Sequence, residues 1–286
     1  MSGLPELRDK VAVVTGGASG IGRGIATMLR DEGMKVVIAD VEDGQLKEAV
    51  ADLGVAGIRT DVSDVASMER LAKEVVERYG TVHVVCNNAG IGGSARIADL
   101  TLSDWRWTLN VNLWGVIHGV TIFLPILLAN DDGGYIVNTA SMAGLRGRTG
   151  LGAYTVSKYG VVALSETLAA ELAEDGSRVG VSVLCPGLVR TNIGNFLRNR
   201  PKEFADGRFG DPEVSAMASR EMRSAAARLR RIEPDEAGAL VVRAIKRGDL
   251  YVLTDPDMFP EFEARYQRIA TAFREAAAFR ASSGSG

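Results

Sequence analysis

A tyrosine and a lysine, Tyr154 and Lys158, stand four residues apart in a segment with the apolar spacing of an amphipathic helix. Side chains at that spacing share one helix face, so both reach the same bound ligand. A phenol has an ordinary pKa of about 10, and a neighbouring ammonium favours the phenolate and lowers that pKa. The pair therefore predicts proton transfer at a substrate oxygen, with Ser141, at the end of a strand pattern, supplying a hydrogen bond.

Three glycines, Gly16, Gly20 and Gly22, follow the apolar run 11–15, and the last two open a helical pattern that begins at residue 20. A glycine-rich turn after a strand lets the backbone pass close to a phosphate, while the N–H groups of the next helix point at it. Close packing of a helix on a strand also uses glycine, so the turn alone leaves that alternative open. A ligand at this turn is expected to be a nucleotide.

Asp40 ends the second strand pattern, where the ribose of an adenine nucleotide would lie. Its carboxylate accepts hydrogen bonds from both ribose hydroxyls, whereas it repels a 2′-phosphate. Val41 follows and offers no cation to such a phosphate. The prediction is therefore NAD rather than NADP, with a simple turn role for Asp40 as the alternative.

The composition is that of an ordinary globular protein, since 46% of the 286 residues are hydrophobic and 24% are charged. A formal charge of −3 provides no broad basic field, so nucleic acid is not an expected partner. The first ten residues carry no apolar leader, which predicts a cytoplasmic protein. Cys86 and Cys185 end strand-like runs and are expected to be buried thiols, and neither His83 nor His118 suggests a metal site or a catalytic role.

Short β-branched runs alternate with helical patterns along the whole chain. The predicted strands are 11–15, 35–40, 57–60, 82–86, 135–139, 180–185 and 250–254, and the main predicted helices are 20–32, 63–79, 103–129, 152–174 and 235–247. Regular alternation implies right-handed crossovers and a parallel sheet covered on both faces. The predicted fold class is thus α/β: a doubly wound parallel sheet of about seven strands, in a single domain 1–286 with its core at 8–255.

The segment 111–130 is nearly continuous in apolar residues and is about as long as a membrane-spanning helix. Asn112 and His118 would be costly in lipid, and no cluster of positive charge flanks the segment. We therefore expect no membrane partner. A helix covered by its own sheet and by another subunit fits this segment better.

Five motifs occur in order, each at a predicted strand end or helix start: TGGASGIG at 15–22, NNAG at 87–90, Ser141, YTVSK at 154–158 and PGLVRT at 186–191. With these motifs the chain resembles the short-chain dehydrogenase/reductase family over residues 10–254, nearly its whole core. The resemblance implies a Rossmann-like fold, NAD as cofactor, no metal, and hydride transfer between the nicotinamide and a secondary alcohol or its ketone.

The resemblance also assigns roles. Tyr154 is the implied general acid/base, Lys158 tunes it and holds the nicotinamide ribose, Ser141 orients the substrate oxygen, and Asn112 positions a water relay. Asp61 and Val62 flank the adenine, residues 88–90 support the central strand, and Thr191 holds the carboxamide. The implied cofactor-binding set is Gly16, Ser19, Gly20, Ile21, Gly22, Asp40, Asp61, Val62, Asn88, Ala89, Gly90, Tyr154, Lys158, Pro186, Gly187, Val189 and Thr191.

In this family a segment placed like 192–232 usually forms a lid over the substrate, and we expect its arginines to lie on a solvated face. Expected pocket residues are Ile91, Gly92, Ser94, Leu145, Leu151, Leu188, Ile193 and Phe196, which are mostly apolar and predict a small hydrophobic alcohol or ketone as substrate. A helix at 258–280 and a flexible tail at 281–286 complete the chain. The apolar faces of helices 103–129 and 152–174 predict a homo-oligomer, either a dimer or a tetramer.

Two other functions remain open. One is a non-catalytic NAD-binding regulatory or scaffold protein on the same fold, which predicts a damaged Ser/Tyr/Lys set. The other is a nucleotide-sugar epimerase or dehydratase, which typically carries a larger C-terminal substrate domain. The intact set and the short stretch after residue 254 favour an NAD-dependent oxidoreductase.

Overall fold

The computed structural model describes residues 2–214 and 230–283. The chain divides into two compact units, Met1–Thr254 and Asp255–Gly286. The predicted lid at 192–232 is thus described at 192–214 and 230–232, and its middle lies outside the described residues. The assignment of the chain to a single domain stays a prediction.

The first unit is built on a sheet of seven parallel strands. These strands are β1 (Val11–Thr15), β2 (Lys35–Asp40), β3 (Ala56–Arg59), β4 (Val84–Asn87), β5 (Gly134–Thr139), β6 (Val179–Cys185) and β9 (Tyr251–Leu253), in the order β3-β2-β1-β4-β5-β6-β9. Two short strands, β7 (Leu188–Val189) and β8 (Arg231–Ile232), form a separate parallel pair. Strand order reverses between β1 and β4. The doubly wound sheet is confirmed, with strand limits within two residues of those predicted.

Helices cover both faces of this sheet. They are α1 (Gly20–Asp31), α2 (Asp43–Leu53), α3 (Val65–Tyr79), α4 (Leu102–Leu109), α5 (Gly115–Leu128), α6 (Gly152–Glu174) and α7 (Pro234–Arg247). On one face, α1, α2 and α7 share a hydrophobic core with the sheet, in which Ile25, Leu29 and Ile38 are fully buried. Each such side chain contributes about 1.5–3 kcal/mol, so this layer holds the strand ends in place.

The predicted helix 103–129 is interrupted. Between α4 and α5 the chain makes a π-helical turn, Asn110–Trp114, closed by a bond from the Gly115 N–H to the Asn110 carbonyl. Asn112 is buried within this turn, as are Thr108 on α4 and Val116 on α5. A π-helical turn contains one residue more than an α-helical turn, and the nearly continuous apolar pattern of the sequence does not indicate that additional residue.

Within the described residues, Leu102–Leu128 is the one helical stretch long and apolar enough to cross a membrane, with a mean hydropathy of 1.9. Val116, Phe123 and Leu127 on α5 are nonetheless buried, and this helix packs against β4 and β5. The burial of these α5 side chains agrees with the expectation that the chain's own sheet covers this helix. Leu128 and Trp114 remain about half exposed.

The second unit contains a short 3-10 turn, Pro256–Met258, and the helix α8 (Phe259–Ser283). Residues 281–283, expected in a flexible tail, are therefore helical, and 284–286 lie outside the described residues. None of the α8 residues is buried, and Tyr266, Phe273 and Phe279 are largely exposed.

Helices α1 and α7 touch through their backbones at two glycines. A Cβ on Gly24 would lie 2.2 Å from the Pro234 carbonyl oxygen, and one on Gly238 would lie 2.4 Å from the Gly24 carbonyl oxygen. Both obstacles are backbone atoms, which cannot rotate away as a side chain can. The closeness of this contact sets the distance between the two helices.

We predict that Gly24→Ala lowers the free energy of unfolding by about 1–3 kcal/mol, because the added methyl overpacks this contact. Gly44→Ala, on α2 where a Cβ meets nothing within 4 Å, is the matched control. It should leave that free energy unchanged or raise it by up to about 1 kcal/mol. Urea titrations followed by circular dichroism compare the two, and equal stability would contradict the backbone contact.

Candidate functional site

A cleft opens at the carboxyl edge of the sheet, where β1 and β4 part. The predicted site residues that line it are Gly16, Ser19, Gly20, Ile21, Asp40, Asp61, Val62, Asn88, Ala89, Gly90, Tyr154, Lys158, Pro186 and Thr191. Five other predicted residues do not line it: Gly22, Asn112, Ser141, Gly187 and Val189. The sequence motifs thus meet at one place, as a doubly wound sheet requires.

The glycine turn forms the floor at one end. Gly16 has a φ of +63°, and a Cβ there would lie 2.8 Å from the Ala89 Cα. A Cβ on Gly22 would lie 2.2 Å from the Gly16 carbonyl oxygen, so Gly22 serves close packing inside the turn. Helix α1 begins at Gly20, which lines the cleft, and its positive end suits an anion such as a phosphate.

Side-chain hydrogen bonds connect the ends of β1 and β4 beyond their last backbone pair. The Thr15 hydroxyl accepts from the backbone N–H groups of Asn88 (3.0 Å) and Ala89 (3.1 Å). The Asn88 amide in turn donates to the Thr15 carbonyl at 3.0 Å. These bonds take over where the strand pairing ends and fix the segments that follow β1 and β4 at the floor of the cleft.

Asp40 occupies the rim of the cleft at the end of β2. Its carboxylate accepts from the backbone N–H groups of Ala18 and Glu42, both at 3.2 Å. Burial raises the pKa of the Asp40 carboxyl, and the two backbone hydrogen bonds work against that rise. The group is therefore fixed in orientation beside the glycine turn, which fits a ligand hydroxyl.

Tyr154 and Lys158 lie together at the other end of the cleft, both on α6. The Lys158 Nζ donates to the Thr139 carbonyl at 2.9 Å and lies 5.7 Å from the centroid of the Tyr154 ring. Burial lowers the pKa of Lys158 to about 8. Burial likewise raises the pKa of Tyr154, against a hydrogen bond from Ser141 that lowers it.

The expected lowering of the Tyr154 pKa by Lys158 is therefore not seen. The phenol is desolvated, and the ammonium is engaged by the Thr139 carbonyl rather than by the phenol oxygen. Desolvation disfavours the charged form of both side chains. In this state Tyr154 is a neutral proton donor.

Asn112 does not line the cleft but braces it from the π-helical turn. Its amide oxygen accepts from the Ile91 N–H at 2.8 Å, and its amide nitrogen donates to the Ile91 carbonyl at 3.0 Å and to Ser157 at 3.3 Å. The side chain thus ties the segment after β4 to α6. A water relay through Asn112 stays a prediction.

The start of the predicted lid contributes residues that the sequence did not identify. Arg198 donates to the Glu42 carboxylate from Nε (3.1 Å) and Nη2 (2.6 Å), and Asn199 donates to it at 2.8 Å. All three residues line the cleft. Burial opposes ionisation of Glu42, yet the bonds from Arg198 and Asn199 hold its pKa below the ordinary value.

A second arginine of this segment reaches a buried carboxylate. Asp104 is fully buried and accepts from Arg200 Nη2 at 2.8 Å and from the backbone N–H groups of Arg208 (2.9 Å) and Phe209 (3.2 Å). The Arg200 guanidinium also lies 5.5 Å from the Trp107 ring. For Arg200 the predicted solvated face is wrong, because its guanidinium is largely buried against Asp104. Arg198 stays partly exposed, yet it is paired with Glu42, an acid far away in sequence that local patterns do not reveal.

Aromatic rings form the wall opposite the glycine turn. The Phe196 ring lies 5.8 Å from the Trp107 ring and 5.5 Å from the Phe209 ring. Of the expected pocket residues, Ile91, Ile193 and Phe196 line the cleft, whereas Gly92, Ser94, Leu145, Leu151 and Leu188 do not. In the described parts of the chain, no group of three acidic, histidine or cysteine side chains is placed to hold a metal.

Comparisons with known proteins agree with this geometry. The model of the short chain dehydrogenase family matches residues 10–202. A short-chain dehydrogenase/reductase of Burkholderia phymatum, solved with NAD, is 37% identical and superposes with a TM-score of 0.89, covering 94% of this chain and 97% of its own. The CLA biosynthesis dehydrogenase/reductase of Lactiplantibacillus plantarum is 30% identical over 94% of this chain and 96% of its own. The 3beta-hydroxysteroid dehydrogenase 2 of Eggerthella lenta is 35% identical over 70% of this chain and 78% of its own.

The buried ammonium gives a test of the site's electrostatics. The pKa of Lys158 is lower in the folded chain, so the unfolded chain binds more protons between pH 8 and 10.5 and stability rises with pH across that window. We predict that Lys158→Met raises the free energy of unfolding by about 2 kcal/mol at pH 7. The gain should shrink as the pH rises through this window.

Lys73→Met is the matched control, because Lys73 is 74% exposed on α3. Urea titrations at pH 7 and pH 10 measure both variants against the native protein. A Lys158 variant that is less stable than the native protein at pH 7 would show that the ammonium is not desolvated.

Proposed function

Because the chain belongs to the short-chain dehydrogenase family and is an oxidoreductase acting on alcohols and ketones, we propose that it uses NAD to interconvert a hydrophobic secondary alcohol and its ketone. One observation carries this proposal. The Tyr154 and Lys158 pair lines the same cleft as the glycine turn and Asp40. A proton-transfer group and a dinucleotide site therefore share one cavity.

The residues present fit a dinucleotide. The Gly16 turn leaves no room for a Cβ, the start of α1 favours a phosphate, and Asp40 suits ribose hydroxyls while it repels a 2′-phosphate. The Burkholderia phymatum relative is described as a complex with NAD, which supports the same cofactor here. When bound, the nicotinamide would accept or supply the hydride.

The chain's own residues handle the proton. In reduction, the neutral phenol of Tyr154 donates its proton to the carbonyl oxygen as that oxygen gains charge. In oxidation, the Tyr154 oxygen takes the hydroxyl proton of the alcohol. Ser141 is hydrogen-bonded to Tyr154 and orients the same oxygen, and the Lys158 ammonium at 5.7 Å from the ring favours the phenolate when it forms.

The substrate end of the cleft is apolar. Ile91, Trp107, Val111, Phe196 and Pro201 form its walls. Burial of hydrocarbon against such walls favours a hydrophobic, ring-containing or chain-like alcohol over a polar sugar. The hydroxysteroid dehydrogenase named among the relatives supports this substrate class.

We also propose a cytoplasmic homo-oligomer, a dimer or a tetramer, in which α5 and α6 meet their counterparts. Trp114, beside α5, and Val156, on α6, are each about half exposed, as a subunit contact requires. A non-catalytic NAD-binding protein is less consistent with the chain, because the Ser141, Tyr154 and Lys158 set is intact. A nucleotide-sugar epimerase is less consistent with the apolar walls of the cleft.

We predict that Tyr154→Phe lowers kcat by at least about 100-fold, because the ring keeps its packing but loses the transferable proton. NADH binding should persist within about threefold, since Tyr154 is one of many proposed dinucleotide contacts and phenylalanine keeps the ring. Tyr159→Phe, on the same helix but outside the cleft lining, is the control. NADH formation from a panel of secondary alcohols, with NADH fluorescence titration for binding, measures both quantities. Near-normal turnover by Tyr154→Phe would remove the acid/base role.

Cofactor choice gives a separate prediction. Replacing Asp40 by Ser and Val41 by Arg removes the charge that repels a 2′-phosphate and adds one that attracts it. The ratio of kcat/KM for NADPH over NADH should rise by at least about tenfold, which corresponds to one charge-assisted hydrogen bond. Steady-state kinetics with both coenzymes test it. If the native protein already uses both equally well, the electrostatic argument for Asp40 is wrong.

A further inference from the structure

The segment 192–214 is held on both sides of the cleft by two arginines, Arg198 and Arg200. Arg198, with Asn199, reaches across to Glu42, two residues beyond Asp40 on the β2 side. Arg200 reaches to Asp104 on α4, on the side of the aromatic wall. The two attachments are thus separated along the chain by a single residue but lie on different walls.

The two attachments differ in burial. Asp104 is fully buried, Arg200 is only 13% exposed, and the same carboxylate also accepts two backbone N–H groups of the segment. The Glu42 and Arg198 side chains are 19% and 26% exposed, with water able to reach both. Separating a buried pair leaves an uncompensated charge, whereas water can solvate the separated partners of a part-exposed pair. The Glu42 attachment is therefore the one that opens more readily.

The geometry points to a latch, by which we mean the contact of Glu42 with Arg198 and Asn199. We propose that Glu42 is a positioning residue that holds Arg198 and Asn199 across the dinucleotide groove, and that coenzyme exchange requires this contact to open while the Asp104 attachment stays closed. The inference rests on the proposed use of NAD at this cleft. Glu42 is itself positioned, because Gln45 donates to its second carboxylate oxygen at 2.7 Å.

A different role for Arg198 makes the opposite prediction. If Arg198 served mainly as a ligand for the coenzyme phosphates, Glu42 would compete with the coenzyme for its guanidinium. Removing the Glu42 charge would then tighten coenzyme binding and slow its release. In a latch, the same change weakens the closure and speeds release.

The experiment measures the dissociation rate constant of NADH by stopped-flow fluorescence, with the purified full-length protein and an excess of NAD as the displacing ligand. Glu42→Gln and Arg198→Gln should each raise this rate constant by roughly twofold to fivefold, the upper range for part-exposed ion pairs. The double variant should release NADH no faster than the faster single variant, since both changes break one contact. Salt should speed release from the native protein and have little effect on the variants.

Asp52→Asn is the control for Glu42→Gln, because each variant removes one negative charge. It breaks a more exposed ion pair, from Arg23 Nη2 to Asp52 at 2.9 Å, between residues that do not line the cleft. Its NADH release should match that of the native protein. Unchanged or slower release from Glu42→Gln, with native-like NADH binding, would overturn the latch and leave the proposed function standing. A native protein that binds no NADH would overturn both.

Discussion

The parting of β1 and β4 is the constraint on which the site depends. The chain winds outward from this pair in opposite directions, so no crossover helix covers the gap between the two strand ends. Thr15 and Asn88 bridge the two strand ends with hydrogen bonds beyond the last ladder pair, so the backbone groups there are not left unpaired as the chain turns away on each side. The glycine turn on one side and α6 on the other then face a common space, and every chemical feature of the cleft is arranged around it.

Short-range patterns were sufficient to predict the sheet and most of the cleft. The Gly16 turn, Asp40 and the Tyr154 and Lys158 pair each follow a strand or begin a helix, so their position in the fold follows from local periodicity. Pairs such as Arg198 with Glu42 join residues 156 positions apart, and no local pattern in a basic segment distinguishes such a partner from water. The π-helical turn at Asn112 also escaped prediction, because one extra residue does not disturb a nearly continuous apolar run.

The candidate site combines two groups that the fold desolvates. Burial opposes the charge on Lys158 and the phenolate form of Tyr154 alike, so in this state each is held closer to neutrality than it would be in water. At position 158 an apolar side chain would avoid the cost of burying a charge. A lysine kept at that cost agrees with the proposed role in proton transfer, since functional sites often sacrifice stability.

The π-helical turn has a consequence for how this region can vary. A π-helical turn holds one residue more than an α-helical turn, so deleting one residue within Asn110–Trp114 would merge α4 and α5 into one regular α-helix and leave α5 in place on the sheet. An insertion there, or the deletion of a second residue, would instead rotate α5 by about 100° relative to α4, and Phe123 and Leu127 would leave the sheet for solvent. Even the single deletion would displace Asn112 and its hydrogen bonds to Ile91, so homologous chains that keep those bonds should align across this stretch without gaps.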